Sequence, residues 1–236
     1  MLKRLILILA CLTLIIIPAS GDTASPAPIQ SITERRLEEL SKSVVLITMV
    51  PSGAMGTGVV YEASKDESKI LTAGHVCLAG EATGAFVTTK DNYIYSGISM
   101  AAREDVDLCV ITVAVQLPVI KIAKTYLLRK GDEVYTISAP MGVYSFPYVG
   151  HVGGWQSIRG FNHYLVGINA APGSSGSPLM YRGRLIGLIT MIIDQSPFPS
   201  FSSASIAVPV EVINGFLFWV EHYEKDIMDD VISTNP

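Results

Sequence analysis

From Val44 onward the chain is a succession of short apolar or alternating runs, and this pattern limits the fold more than any other feature. Val44–Val50, Gly58–Glu62, Lys69–Thr72, Ala85–Thr89, Ile94–Met100 and Leu108–Val115 are separated by Gly, Asp, Asn and Ser. Period-two alternation with turn residues between runs is the signature of strands that bury one face. Six such runs before Pro118 predict one closed antiparallel sheet. A second series comes after it, at Glu133–Ser138, Tyr148–Gln156, His163–Asn169, Pro178–Tyr181, Arg184–Met191 and Ser205–Val208. Lys121–Lys130 reads as the crossover between the two series. Val210–Val220, entered through Pro209, reads as a helix with one apolar face. No period of about 20–50 residues recurs, which excludes solenoids and propellers. The expectation is an all-β chain of two six-stranded antiparallel barrels, at 43–118 and 119–220, with a short C-terminal helix and a tail at 221–236.

The N-terminus reads as targeting. Lys3 and Arg4 precede an apolar stretch from Leu5 to Ile17, followed by the small residues Pro18-Ala19-Ser20-Gly21. That order is the one of a signal peptide. An uncleaved anchor is the alternative, although the apolar stretch is short beside the ~20 residues a bilayer span needs. On either reading of residues 1–21 the rest of the chain is exported, to the periplasm or the medium, and a membrane is involved only if the segment is kept. Cys11 sits in a weak lipoprotein-like context, but the apolar run continues beyond it. Residues 22–42 read as a Pro/Ala/Ser-rich linker and then a short amphipathic helix from Ser31 to Ser41. The chain carries a net charge of −4, or −6 once Lys3 and Arg4 are removed, and its cations are not clustered along the sequence. Nucleic-acid binding therefore has no electrostatic support.

Three short motifs point to chemistry. Gly173-Ser174-Ser175-Gly176-Ser177-Pro178 places a serine in a glycine-rich turn, where backbone N–H groups can converge on one oxygen. Thr72-Ala73-Gly74-His75 and Asp105-Val106-Asp107-Leu108 lie upstream. Histidine, aspartate, serine is the chain order of a chymotrypsin-type triad. The other serine-hydrolase elbow fails, because Gly-x-Ser-x-Gly would need glycine where Ser177 stands, and its triad runs in another order. No His-Glu-x-x-His or paired Cys-x-x-Cys spacing suggests a metal, and no cofactor is implied. His151, His163 and His222 lack the flanking pattern of His75.

On these residues, together with Gly56-Thr57-Gly58 and Ile206-Ala207-Val208-Pro209, the stretch from about Val44 to Leu217 resembles the chymotrypsin-fold serine proteases. It is most similar to the periplasmic high-temperature-requirement type, with some similarity to secreted glutamyl endopeptidases. The resemblance implies Ser175 as nucleophile, His75 as general base and then acid, and Asp107 as the group that orients the imidazole. It implies an oxyanion hole from the N–H groups of Gly173 and Ser175. Asp105 competes with Asp107, lying on the same face if the segment is extended; the resemblance favours Asp107. Cys77 and Cys109 each follow a triad residue by two positions, so a disulfide and a pair of buried thiols are both compatible with the sequence.

Departures from the family shape the expected specificity. Ser174 stands where digestive relatives carry an aspartate, so activation through an ion pair with a newly cut N-terminus is not implied. Ile189 and Thr190 lie on the stretch expected to wall the P1 pocket, where glutamyl endopeptidases carry a histidine; an apolar wall cannot neutralise a carboxylate. Asn169, expected near the pocket base, offers no partner to Lys or Arg. Small or medium apolar P1 residues of polypeptide substrates are the expectation. The tail is too short for the peptide-binding PDZ domain of periplasmic relatives. A catalytically silent binding module and an esterase-like hydrolase on the same scaffold remain the alternatives.

Overall fold

Register explains why the runs close into barrels. In the computed structural model, which describes residues 32–80, 82–192 and 204–234, each run pairs antiparallel with its neighbours. The leader, Cys11 and the linker up to Ser31 lie outside the described residues, and every strand and helix belongs to the compact unit that starts at Thr33. The first barrel contains β1 (Val44–Val50), β2 (Met55–Ala63), β3 (Ser68–Ala73), β4 (Gly84–Thr88), β5 (Ile94–Arg103) and β6 (Leu108–Val113), in the closed order β1-β2-β3-β6-β5-β4. The second contains β7 (Glu133–Ser138), β8 (Phe146–Ile158), β9 (Phe161–Val166), β10 (Ser177–Tyr181), β11 (Arg184–Ile192) and β12 (Ser205–Pro209), in the order β10-β11-β12-β9-β8-β7. The two six-stranded barrels expected from the runs are present.

Inward-facing aliphatic residues fill each barrel. Val45, Ile47, Val60, Ile70, Val87 and Ile111 form the first core, and Val134, Val152, Val166, Leu179 and Ile186 the second. Fully burying such a side chain contributes about 1.5–3 kcal/mol, so branched residues at every second position hold the sheets closed. The burial of β1 alternates along the strand as a one-sided strand requires. β6 is buried along its whole length instead. Helix α3 (Val210–Thr234) packs against it from outside, so both faces of β6 are covered. Val210, Ile213, Phe216 and Val220 are the buried face of that helix, and Arg103 lies over the Trp219 ring at 5.5 Å.

Two expectations change here. The helix does not stop at Val220 but runs to Thr234 through the stretch read as a tail. From Glu221 to Thr234 there is no Gly or Pro to end it, and apolar residues at helical spacing (Ile227, Met228, Val231, Ile232) continue along it. Phe218, an apolar residue of the stretch expected to present one apolar face, is instead 63% exposed, its ring tilted against that of His222. At the other end, α1 (Glu34–Ser41) begins at Thr33, whose hydroxyl accepts from the Arg36 N–H at 3.3 Å. A capped start of this kind satisfies one of the four orphan donors of a helix.

Candidate active site

His75 lies on α2 (Gly74–Cys77), a single turn that follows β3 directly. Asp107 ends a turn just before β6 and is held at φ 54°, a left-handed conformation that Asp tolerates better than most residues. Strand pairing brings the two together, because Ala73 on β3 is in register with Leu108 on β6. Gly74 permits the approach: a Cβ there would lie 2.9 Å from the Leu108 nitrogen. Asp107 Oδ1 accepts the His75 backbone N–H at 2.8 Å, and His75 Nδ1 stands 3.0 Å from both carboxylate oxygens. The carboxylate therefore fixes both the turn and the ring. Asp105 does not share this face. It belongs to the turn, not to an extended strand, and pairs with Arg103, whose guanidinium holds its carboxyl below the usual carboxylate range. Cys77 and Cys109 are joined as a disulfide, which ties the α2 turn to β6 beside these residues.

Ser175 is presented by the turn that leads into β10. Ser174 N–H donates to Ala171 O, Gly176 N–H to Ile189 O, and Ser177 N–H to Ser174 O, at 2.9, 2.7 and 3.1 Å. None of these bonds uses the N–H of Gly173 or Ser175, the two expected oxyanion donors. The Pro172 carbonyl is turned away to accept from Met141 N–H at 2.7 Å. Gly173 sits at φ +94°, a conformation closed to ordinary side chains. Ser174 and Ser177 are buried, whereas Ser175 is partly exposed. Ser174 meets Ser138 through a hydroxyl–hydroxyl bond of 3.0 Å, a neutral contact where digestive relatives carry a charged one.

Thr57, quoted in the sequence only as part of a motif, holds this turn against the first barrel. Its hydroxyl donates to the Gly173 carbonyl at 2.8 Å and accepts from Ala139 N–H at 3.0 Å. Its N–H donates to the Ser175 carbonyl at 2.8 Å. Its own carbonyl accepts from the Thr72 hydroxyl at 2.7 Å, three residues before His75. All of Thr57 is buried. A polar residue between two glycines, inside an otherwise apolar strand, was the available signal for it.

Beside Ser175 opens a cavity of 390 Å³ lined by Ala170, Pro172, Ile189, Thr190, Met191 and Ile192 among others. Of the three residues expected at the P1 pocket, Ile189 and Thr190 line this cavity, whereas Asn169 is exposed and does not, because the buried positions of its segment are its neighbours Ile168 and Ala170. His163 is buried with Nδ1 at 3.0 Å from the Phe161 carbonyl, and His222 Nδ1 approaches the Phe218 carbonyl, so both serve local structure. Among the described residues no cluster of three His, Cys, Asp or Glu side chains could hold a metal, and no helix is long and apolar enough to cross a membrane.

Paired six-stranded barrels, with a His–Asp couple on one and a serine-bearing glycine turn on the other, define the chymotrypsin-type architecture. Residues 56–188 match the model of the trypsin-like peptidase domain, and the chain belongs to that family. It is 32% identical over 170 residues to a probable periplasmic serine endoprotease, DegP-like, of Hahella chejuensis, covering 69% of this chain and 35% of that one. The mitochondrial serine protease HTRA2 of Drosophila pseudoobscura is 25% identical over 172 residues, covering 69% and 38%. This chain thus spans little more than a third of the length of these relatives. Among solved structures, the HtrA-type protease AlgW with a tripeptide superposes with a TM-score of 0.66 at 21% identity, covering 75% of this chain and 59% of that one. The serine endoprotease from Yersinia pestis gives 0.66 at 21%, covering 78% and 65%. At such identity the likeness speaks for the fold.

Proposed function

We propose that this chain is an exported serine endopeptidase that cleaves polypeptides through an acyl-enzyme, with a preference for small or medium apolar P1 residues. The observation that carries the reading is His75 Nδ1 at 3.0 Å from each Asp107 oxygen. With Nδ1–H donated to the carboxylate, Nε2 is the ring's free base. Nε2 takes the Ser175 proton as Oγ attacks the peptide carbonyl, and the same proton passes to the leaving amine when the tetrahedral intermediate collapses. Water, deprotonated by the same nitrogen, then releases the acyl group. The N–H groups of Gly173 and Ser175 stabilise the oxyanion in both halves; one such donor is worth about 2.7–4 kcal/mol in comparable sites.

The P1 preference rests on the cavity. Ile189, Met191, Ile192 and Ala170 present carbon to it, and among the described residues no charged side chain lines it. A P1 carboxylate or ammonium would lose its water without gaining a partner. Export rests on the N-terminal pattern and on likeness to a relative described as periplasmic.

The test is fluorophosphonate labelling of the full chain beside its Ser175→Ala variant, followed by a P1 peptide library. Labelling at Ser175 alone, with Ala, Val or Leu favoured at P1, is expected. A folded protein that does not label would refute the catalytic assignment, and a profile led by Glu, Lys or Arg would refute the specificity.

A further inference from the structure

A second concavity, of 510 Å³, opens where α1, the connection between the barrels and the β10–β11 turn converge. Its size falls within the ~300–1,000 Å³ typical of ligand sites. Four cations line it: Arg36 from the helix, Lys121 from the connection, and Arg182 and Arg184 from the turn. One carboxylate, Glu39, shares the groove, and it is already engaged by Arg35 and Arg36. Among the described residues no carboxylate pairs with Lys121, Arg182 or Arg184. In a chain of net charge −4, this is a local excess of positive charge at a concave surface.

The turn itself adds an independent observation. Arg182 is at φ 49° and Gly183 at φ 76°, the two left-handed positions of a tight hairpin. Asn or Gly fits the first of these with less strain than Arg, and a strained side chain that persists is a pointer to use. The corresponding corner of the β8–β9 hairpin also carries an arginine, Arg159 at φ 51°, and there the guanidinium donates to the Glu104 carbonyl. Arg182 makes no such tie: its guanidinium stacks on the Tyr181 ring at 5.1 Å, which fixes the cation at the groove.

We propose that this groove is a docking site for an acidic polypeptide segment, separate from the cavity beside Ser175. The cations set the charge of the partner, and guanidinium forks suit carboxylates held in pairs. The apolar surface of Val119, 42% exposed, with the exposed Pro118 beside it, sets the rest: the segment carries aliphatic side chains between its carboxylates. That mixture favours a polypeptide over a phosphate polymer, which has no aliphatic side to offer. The site does not depend on the catalytic reading, and its test can be run on a protein that does not cleave.

The experiment measures binding of a fluorescent octapeptide alternating Glu with Leu to the full-length Ser175→Ala protein. The comparison is the Arg182→Asn/Arg184→Gln double variant in the same background. Asn suits the left-handed turn, so the fold is kept, and an unchanged melting temperature checks this. Affinity is expected to fall at least about tenfold in the double variant, and to weaken as NaCl rises from about 50 to about 300 mM. Equal affinity in the double variant, or equal binding of the Gln-for-Glu peptide, overturns the proposal. So does polyphosphate binding that exceeds the peptide's and depends on the same arginines.

Discussion

Replacing Thr57 by Val removes one hydroxyl and changes almost nothing in shape, which makes it the sharpest probe of how the proposed nucleophile turn is held. Two buried groups lose their partner, the Gly173 carbonyl and the Ala139 N–H. Leaving a buried polar group unpaired costs about 1–3 kcal/mol, so the pair together cost roughly 2–6 kcal/mol. In a domain of this size each kcal/mol lowers Tm by about 2–4 °C, and a drop of about 4–24 °C is expected. Activity should fall further than stability explains, because the freed carbonyl belongs to Gly173, whose N–H is a proposed oxyanion donor. Complete loss of one donor costs about 10²–10³ in kcat, and a loosened one about 10–10². KM should change little. The assay is kcat and KM on an apolar-P1 peptide beside thermal unfolding, with Thr57→Ser as the control that keeps both bonds. A Thr57→Val protein that melts lower but keeps kcat within about twofold would refute the link to the oxyanion turn. One that melts normally would refute the bonds themselves.

Other perturbations test the remaining parts. Gly173→Ala would place a Cβ 2.8 Å from the Ala139 carbonyl at φ +94°; kcat should fall about 10²-fold or more, with a stability loss of about 1–3 kcal/mol. Asp107→Asn should lower kcat about 10⁴-fold, with the fold intact by circular dichroism, because the amide NH2 can donate to Nδ1 and hold the ring in the wrong tautomer. The Cys77→Ser/Cys109→Ser variant opens a link of sequence separation 32; loop entropy predicts a loss of roughly 3–4 kcal/mol, measured by urea unfolding. Burial pushes the Tyr164 hydroxyl up to about 12. A raised folded value favours the protonated form, so its contribution to stability is full below about pH 10 and lost as pH rises toward 12. Tyr164→Phe should flatten that part of the pH–stability curve.

The barrels were legible because strand periodicity is local: every run from Val44–Val50 to Ser205–Val208 became a strand within a few residues of its expected ends. Gly74-His75 and Gly173–Gly176 were legible because close backbone approach leaves glycine as its mark. What escaped depends on neighbours far along the chain. Thr57 and Gly173 are 116 positions apart, and nothing local marks a hydroxyl that will find a carbonyl across the seam. Asp105 and Asp107 were ambiguous because the segment's turn, and Arg103 as the competing partner, appear only once the chain folds. Asn169 was misplaced for a simpler reason: its neighbours Ile168 and Ala170 claim the interior and leave it to solvent. The basic groove joins residues from 36 to 184, and no sequence window shows them together.

The contact between Ser138 and Ser174 has a consequence for the conditions under which this turn keeps its shape. A carboxylate–amine pair at that place would hold only while the amine is charged, and α-amino groups lose their proton near pH 8. Two hydroxyls have no charge to lose in that range, and salt does not screen them. The latch on the proposed nucleophile turn is therefore indifferent to alkalinity and to ionic strength.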